Sequence, residues 1–185
     1  MQPSDEELMG RYAAGDLSAF RELYSRYEKR IYNFFIRRLG NPDGAADLFQ
    51  EAFFRLHRSR HRFDSRQPFA AWFFTIATNL VRDDLRARRG IQFEDIEEEE
   101  PLLASPAAGP EQMTALSELK EKIDLALATL PDAQKEVLLL SRFEGLRHGE
   151  IAEITGRSEV AVRQLVYRAL QNLRRQLHDI QKNGL

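Results

Sequence analysis

The chain has no cysteine, which excludes a disulfide framework and any thiolate metal site. Its four histidines, at 57, 61, 148 and 178, are scattered and form no ligand cluster. There is no glycine-rich phosphate loop and no nucleophile set beside a base. The sequence therefore carries no catalytic constellation, and no enzyme activity, cofactor, metal or small-molecule substrate is expected. No apolar run approaches the length of a membrane span. The N-terminus MQPSDEELMG has neither the basic start nor the apolar core of a signal peptide. A cytoplasmic protein without membrane insertion is the expectation. Between residues 91 and 112 there is not one Lys or Arg.

What is present is apolar and charged in blocks. The 185 residues are 43% hydrophobic and 30% charged, with a net charge of −2. That near-neutrality hides a partition. Residues 1–90 carry 16 basic and 12 acidic side chains, residues 91–112 carry none and seven, and residues 113–185 carry 11 and 10. Two weakly basic blocks flank an acidic bridge. A near-neutral protein still binds nucleic acid when its basic side chains share a face. The bridge, GIQFEDIEEEEPLLASPAAGP from Gly90, loses all periodicity and reads as a flexible linker. Its EEEE run has no ligand spacing, so it is a solvated charge run rather than a metal site.

Both flanking blocks repeat at helical spacing, which predicts an all-α chain of two small domains. Ser4 and Glu7 form a capping box for a first helix ending near Gly15. Asp16 caps a second, stopped by Gly40, with Phe20, Leu23, Tyr27, Ile31, Phe34 and Phe35 as its buried stripe. Asn41-Pro42 opens a third. Ala46, Phe49, Ala52, Phe53 and Leu56 face inward there, whereas Asp47, Gln50, Glu51, Phe54, Arg55 and Arg58 face out. Phe54 is a large apolar residue on that polar face, fit either for a partner or for a neighbouring helix. Residues 59–67, SRHRFDSRQ, break the helical period as a basic loop holding Phe63, Asp64 and Arg66. Pro68 restarts a helix with Phe69, Trp72, Phe73, Ile76, Ala77, Leu80 and Leu85 inward. Asn79, Arg82, Asp83, Arg86 and Arg89 point out, with Phe74, Thr75 and Thr78 near them. Basic groups beside aromatics suit single-stranded nucleic acid, in which cations track phosphates and rings accept unstacked bases. Most of these rings are core by their spacing, so Phe63 in the loop is the better base contact.

Beyond the bridge, a helix from about Met113 points Leu116, Leu119, Ile123, Leu127 and Leu130 inward. Pro131 opens another, closed by Gly145. RHGEIAEITGRSEVAVRQLVYRALQNLRR, residues 147–175, then reads as helix, turn and helix. Gly156 suits the left-handed end of the first, and Ser158 caps the second. Val162, Val166, Ala169, Leu170, Leu173 and Leu177 form its buried side. Arg163, Gln164, Tyr167, Arg168, Gln171, Arg174 and Arg175 occupy the other. In a helix-turn-helix that second helix enters the major groove, where Arg and Gln pair with guanine and adenine edges. A plain helical hairpin with a solvated polar face fits the same stretch. The tail QKNGL is expected to fray.

Taken together, the chain resembles an extracytoplasmic-function sigma factor, a compact two-domain promoter-recognition subunit of bacterial RNA polymerase. DLFQEAFFRLHR (47–58) resembles the region 2 helix that binds the polymerase clamp helices. RFDSRQPFAAWFFTIATNLVRDDLRARR (62–89) resembles the loop and helix that open and read the −10 element. LPDAQKEVLLLSRFEGLRHGEIAEITGRSEVAVRQLVYRALQNLRRQL (130–177) resembles region 4, the −35 reader. The sequence departs from the family pattern at Val160-Ala161, often Gly-Thr, at Leu165, often basic, and at Thr155 and Arg157 around the turn glycine.

The resemblance implies domains at 1–90 and 113–185 joined by the linker 91–112. It implies polymerase contacts at Asp47, Gln50, Glu51, Phe54 and Arg55. Contacts with the −10 element fall on Phe63, Asp64, Arg66, Phe69, Asn79, Arg82 and Arg86. Contacts with the −35 element fall on Ser158, Arg163, Gln164, Tyr167, Arg168, Arg174 and Arg175. The implied partners are core RNA polymerase, promoter DNA and an anti-sigma factor. The alternative is a free-standing dimeric helix-turn-helix regulator. In the free chain the acidic linker should be drawn to the basic faces at 82–89 and 163–175, closing the domains on each other.

Overall fold

The computed structural model of the chain describes residues 2–89 and 115–182. Among the described residues there is no strand. The N-terminal bundle comprises α1 (Asp5–Ala13), α2 (Leu17–Leu39), α3 (Pro42–Ser59) and α4 (Phe69–Arg89), with a single 3-10 turn, Arg60–Arg62, after α3. The C-terminal bundle comprises α5 (Ala115–Ala128), α6 (Asp132–Leu138), a π-helical turn (Leu139–Phe143), α7 (His148–Thr155) and α8 (Glu159–Lys182). The acidic linker and residues 183–185 of the tail lie outside the described residues, as does the side chain of Leu116.

The helix ends follow local chemistry. The Ser4–Glu7 capping box is formed in both directions, with Glu7 N–H donating to Ser4 Oγ at 3.1 Å and Ser4 N–H to Glu7 Oε2 at 2.8 Å. Asp16 and Asn41 accept the first amides of α2 and α3 through their side chains. Gly40 ends α2 at φ 65°, a left-handed conformation that a Cβ would disfavour.

Aromatic rings fill the N-terminal core. Tyr27 meets Phe69 edge-on at 5.0 Å, Phe53 meets Phe73 at 5.2 Å and Phe34 meets Phe74 at 5.4 Å. Two carboxylates of α1 brace this core. Asp5 accepts from Tyr27 Oη and Arg26 Nη1, both at 2.6 Å. Glu6 accepts the Phe69 amide at 2.9 Å, covering an orphan N–H at the start of α4. The expected stripes hold with local changes. Ala45 rather than Ala46 is the fully buried alanine of α3, and Phe20, Phe49 and Trp72 are half-buried.

The C-terminal core is aliphatic, built from Leu127, Leu130, Val137 to Leu140, Ile151, Ile154, Val162, Val166 and Ala169. Leu119, expected inward, is 54% exposed. Spacing assigns a face of a helix and says nothing of how far along it the packing partner extends. The π-helical turn was not legible from a run in which Leu138, Leu139 and Leu140 are all buried, because such a run defines no period.

The two bundles share one continuous core. α4 packs against α7 as well as against α1, α2 and α3. That second neighbour corrects the reading of Phe74 and Thr78, which stand among fully buried residues instead of on the outer face. Arg38 and Glu136, only 6% and 5% exposed, sit at the junction. Removing one partner from such a buried pair typically costs about 3–5 kcal/mol, because the other charge is left uncompensated.

Candidate nucleic-acid interface

The clearest surface lies on α8. Gly156 ends α7 at φ 68° and its amide donates back to the Ala152 carbonyl. The chain turns, and Ser158 Oγ accepts the Ala161 amide at 3.1 Å, starting α8. Val162, Val166 and Ala169 anchor the inner side. This fixes the rotation of α8 and leaves Arg163, Gln164, Tyr167, Arg168, Arg174 and Arg175 exposed. Tyr167 is 65% exposed. Arg163 is held by Glu159 one turn earlier at 2.8 Å, a surface pair that yields easily to a stronger acceptor. Arg175 donates to Asn172 Oδ1 at 2.9 Å. Val160, 60% exposed in the first turn of α8, was missed by the sequence reading. Its signal was an apolar residue outside the buried spacing of three and four. Leu170, Leu173 and Leu177, expected buried, are half-buried and line an open groove with Tyr167 and Arg174.

A second surface surrounds the loop before α4. Phe63 is half-buried, with its ring 5.8 Å from Phe69 and 5.1 Å from Trp72. Phe69 itself is fully buried and belongs to the core, so the structure corrects its place among the −10 contacts: it supports Phe63 from beneath. Arg66 grips Asp64 with two nitrogens, Nη2 at 2.7 Å and Nε at 3.0 Å. That guanidinium, with the Arg66 amide, holds the Asp64 carboxyl down to about 2. Along α4, Asn79 and Arg86 are exposed. Asn79 lies about 15 Å along the helix axis from Phe69, at 1.5 Å per residue. Arg86 meets Asp83 at 3.7 Å. Arg82 departs from the expectation of a solvent-facing residue. It is half-buried, with Nη2 on the Glu136 carboxylate at 3.2 Å and Nη1 on the Ile154 carbonyl at 3.4 Å. Both acceptors belong to the C-terminal bundle, which no local periodicity could reveal.

The third surface is the outer face of α3. Asp47, Gln50, Glu51 and Phe54 line one shallow depression. Phe54 is 53% exposed, with the Arg58 guanidinium 5.7 Å from its ring centre. Arg55 is committed to Glu51 at 2.8 Å and also reaches Asp83 of α4 at 3.8 Å. The face is thus a shallow depression with one exposed ring among carboxylates and an amide. No described helix is long and apolar enough to cross a membrane.

Comparison with known proteins gives these surfaces a common context. The family model for Sigma-70 region 2 matches residues 23–91, and that for Sigma-70, region 4 matches residues 120–173. The chain is 32% identical over 173 residues to the ECF RNA polymerase sigma factor SigW of Bacillus subtilis, covering 90% of this chain and 92% of that protein. It is also 32% identical over 173 residues to the RNA polymerase sigma factor CarQ of Myxococcus xanthus, covering 94% and 97%. Among solved structures, CnrH in complex with the cytosolic domain of CnrY has the same fold, with a TM-score of 0.70 at 23% identity over 96% of this chain and 99% of that one. The sigma factor RpoE bound to the anti-sigma factor NepR from Bartonella quintana gives 0.66 at 22% identity, covering 86% and 96%. A free-standing regulator would account for the second family match alone, not for both in this order. The chain belongs to the extracytoplasmic-function sigma factors, the subunits that bind core RNA polymerase and direct it to promoters.

Proposed function

We propose that the three surfaces divide the work of promoter recognition among named residues. α8 reads the −35 element. Arg163, Gln164 and Arg168 meet base edges, Tyr167 and Val160 add apolar contact, and Arg174 and Arg175 meet phosphates. The loop at Phe63, Asp64 and Arg66, with Asn79, Arg82 and Arg86 of α4, holds the −10 strand. The depression at Asp47, Gln50, Glu51 and Phe54, braced by Arg55, docks on core polymerase. The protein works in the cytoplasm as a non-catalytic subunit, with domains near 1–90 and 113–185. The exposed Phe54 also suits a second, inhibitory occupant, an anti-sigma factor that competes with polymerase for that face.

The observation that carries this reading is the exposed row from Arg163 to Arg168 on a helix whose opposite side is buried. Run-off transcription with purified core polymerase tests it. Reversing charge at Asp47 and Glu51 should weaken holoenzyme assembly without loss of helicity, whereas Gln164→Ala should change promoter choice at normal assembly. Normal assembly of the double charge reversal would refute the α3 assignment.

A further inference from the structure

The loop that carries Phe63, Asp64 and Arg66 is tied to itself more than to its surroundings. The Asp64 carbonyl accepts the Gln67 amide at 3.0 Å. The Asp64 carboxylate accepts the Arg66 amide at 3.0 Å as well as the Arg66 guanidinium. Among the described residues, the hydrogen bonds made between Phe63 and Gln67 stay inside that stretch. Such a loop moves as one small piece, and its two ends decide where Phe63 stands.

Both ends are held by α1. At the exit, Pro68 stands where α4 begins, and its carbonyl accepts the Trp72 amide at 3.2 Å. A proline there offers no side-chain acceptor to the free amides of the first turn. Glu6 of α1 supplies one from 63 residues away in the chain, taking the Phe69 amide on Oε1 at 2.9 Å. At the entry, Tyr12 Oη and His57 Nδ1 share a hydrogen bond, with His57 in the last turn of α3. Arg60 Nη1 then donates to the His57 carbonyl at 2.7 Å as the chain leaves that helix. α1 is itself fixed from behind. Leu8, Met9 and Tyr12 are buried, and the Tyr12 ring stacks on Phe20 at 4.8 Å. Arg26 Nη1 joins the Pro3 carbonyl, at 3.0 Å, to the Asp5 carboxylate. The region 2 match begins at residue 23, so α1 lies outside both matched stretches.

Position matters here because an unstacked base is read by fit. A recognition site has to be held within about 0.5 Å of its productive geometry, by groups that are themselves held. Phe63 rests on Phe69 and Trp72, which are the first and fourth residues of α4. Without a partner for the Phe69 amide, the first turn of α4 is free to shift and carries both supporting rings with it. A side chain that only stabilised the bundle would affect every activity alike. One that places the loop affects base choice at the −10 element and leaves the −35 element untouched. The single tryptophan of the chain, Trp72, sits against Phe63 and reports the loop by its emission.

We propose that α1 is the brace of this loop, with Glu6 as the principal positioning residue for −10 recognition and Tyr12 as the second. Glu6 acts through the Phe69 amide and Tyr12 through the His57 ring. This rests on the reading of Phe63 as a −10 base contact. Holoenzyme assembled with core polymerase is tested on DNA with a duplex −35 element and a single-stranded −10 strand. Glu6→Ala should lower discrimination between −10 sequences about five-fold, the factor expected from one lost helix cap. Discrimination between −35 sequences should stay as it was. Glu6→Gln keeps an acceptor for the amide and should restore the wild-type value. Tyr12→Phe keeps the ring, removes the hydroxyl and should act in the same direction by a smaller factor, which keeps the test open if Glu6→Ala fails to fold. In the free chain, Trp72 emission should shift in Glu6→Ala and not in Glu6→Gln, at equal helicity. Added to Phe63→Ala, Glu6→Ala should cause no further loss, because both act through one ring. Unchanged −10 discrimination in Glu6→Ala, beside a loss in Phe63→Ala, would overturn the proposal. So would equal losses for Glu6→Ala and Glu6→Gln, or additive losses in the double variant. Phe63→Ala without effect on −10 discrimination would instead count against the placement of the −10 contact, and Trp72 emission would still decide whether Glu6 sets the loop.

Discussion

The two bundles solve the same packing problem with different materials. Of the 18 aromatic residues, 15 lie before Gly90 and only Phe143 and Tyr167 lie within 115–182. The N-terminal core is a lattice of rings braced by Asp5 and Glu6. The C-terminal core is aliphatic, and its two rings are both at the surface, 39% and 65% exposed. Rings bury more area per residue than aliphatic side chains. The N-terminal core is accordingly built mainly from rings and the C-terminal core from aliphatic side chains, and the two share burial where α4 meets α7. Where aromatic residues are scarce, those present are kept for contact with something else.

The contrast can be broken most severely from the aromatic side. Phe73→Ala should cost about 3–5 kcal/mol, since the ring is fully buried among Tyr27, Phe53 and Phe69. Chemical denaturation reads this directly. Leu140→Ala should fall in the lower part of ~2–5 kcal/mol, because an aliphatic core relaxes more easily around a void than a lattice of rings. Were the two losses equal, the proposed difference between the ring-built and the aliphatic core would be wrong.

Both cores were legible in outline, for a reason that also explains the failures. Ser4 with Glu7, Asp16, Asn41-Pro42, Gly156 and Ser158 act within a few residues of themselves, so their chemistry is written locally. The outward row from Arg163 to Arg175 follows from the buried row opposite, which is again local. Phe74, Thr78, Arg38, Glu136 and Arg82 are placed by a neighbour far away in the chain, and helical spacing is blind to that neighbour. The expected attraction of the acidic linker to the basic faces lies outside the described residues. Between the two bundles, the carboxylates that meet arginines are Asp124, Asp132, Glu136 and Glu144.

Smaller effects sharpen the comparison at the surfaces. Gln164→Ala should cost about 1–3 kcal/mol at one promoter position, whereas Arg174→Ala should weaken all promoters alike and flatten the salt dependence. Binding to a panel of −35 variants at two salt concentrations separates these outcomes. Ser158→Ala should destabilise the start of α8 by about 1 kcal/mol, visible as a lower melting point with the fold unchanged. The smallest effect is electrostatic. The folded-state value of Asp64 is depressed to about 2, so its pair with Arg66 favours the native loop above the ordinary carboxylate range. That preference should begin to fade as pH falls through the ordinary carboxylate range and be lost by about 2. Carboxyl carbon chemical shifts followed through acid titration should place Asp64 below the exposed carboxylates, and Arg66→Ala should remove the displacement.

The π-helical turn at Leu139–Phe143 has a consequence for how this gene can change. It gives the helix after α6 a widened turn, just before Glu144 enters its contact with Arg30. Loss of one codon there would let the widened turn relax into an ordinary α-helical one, so the helix itself would survive. The π-helical turn holds one residue more than an α-helical turn, so its loss would leave everything downstream in nearly the same orientation relative to α6. Glu144 would stay opposite Arg30. The same deletion in the regular turns of α6 would instead rotate everything downstream by about 100° and leave two folded halves out of alignment, a difference that point substitutions in these residues would not reproduce.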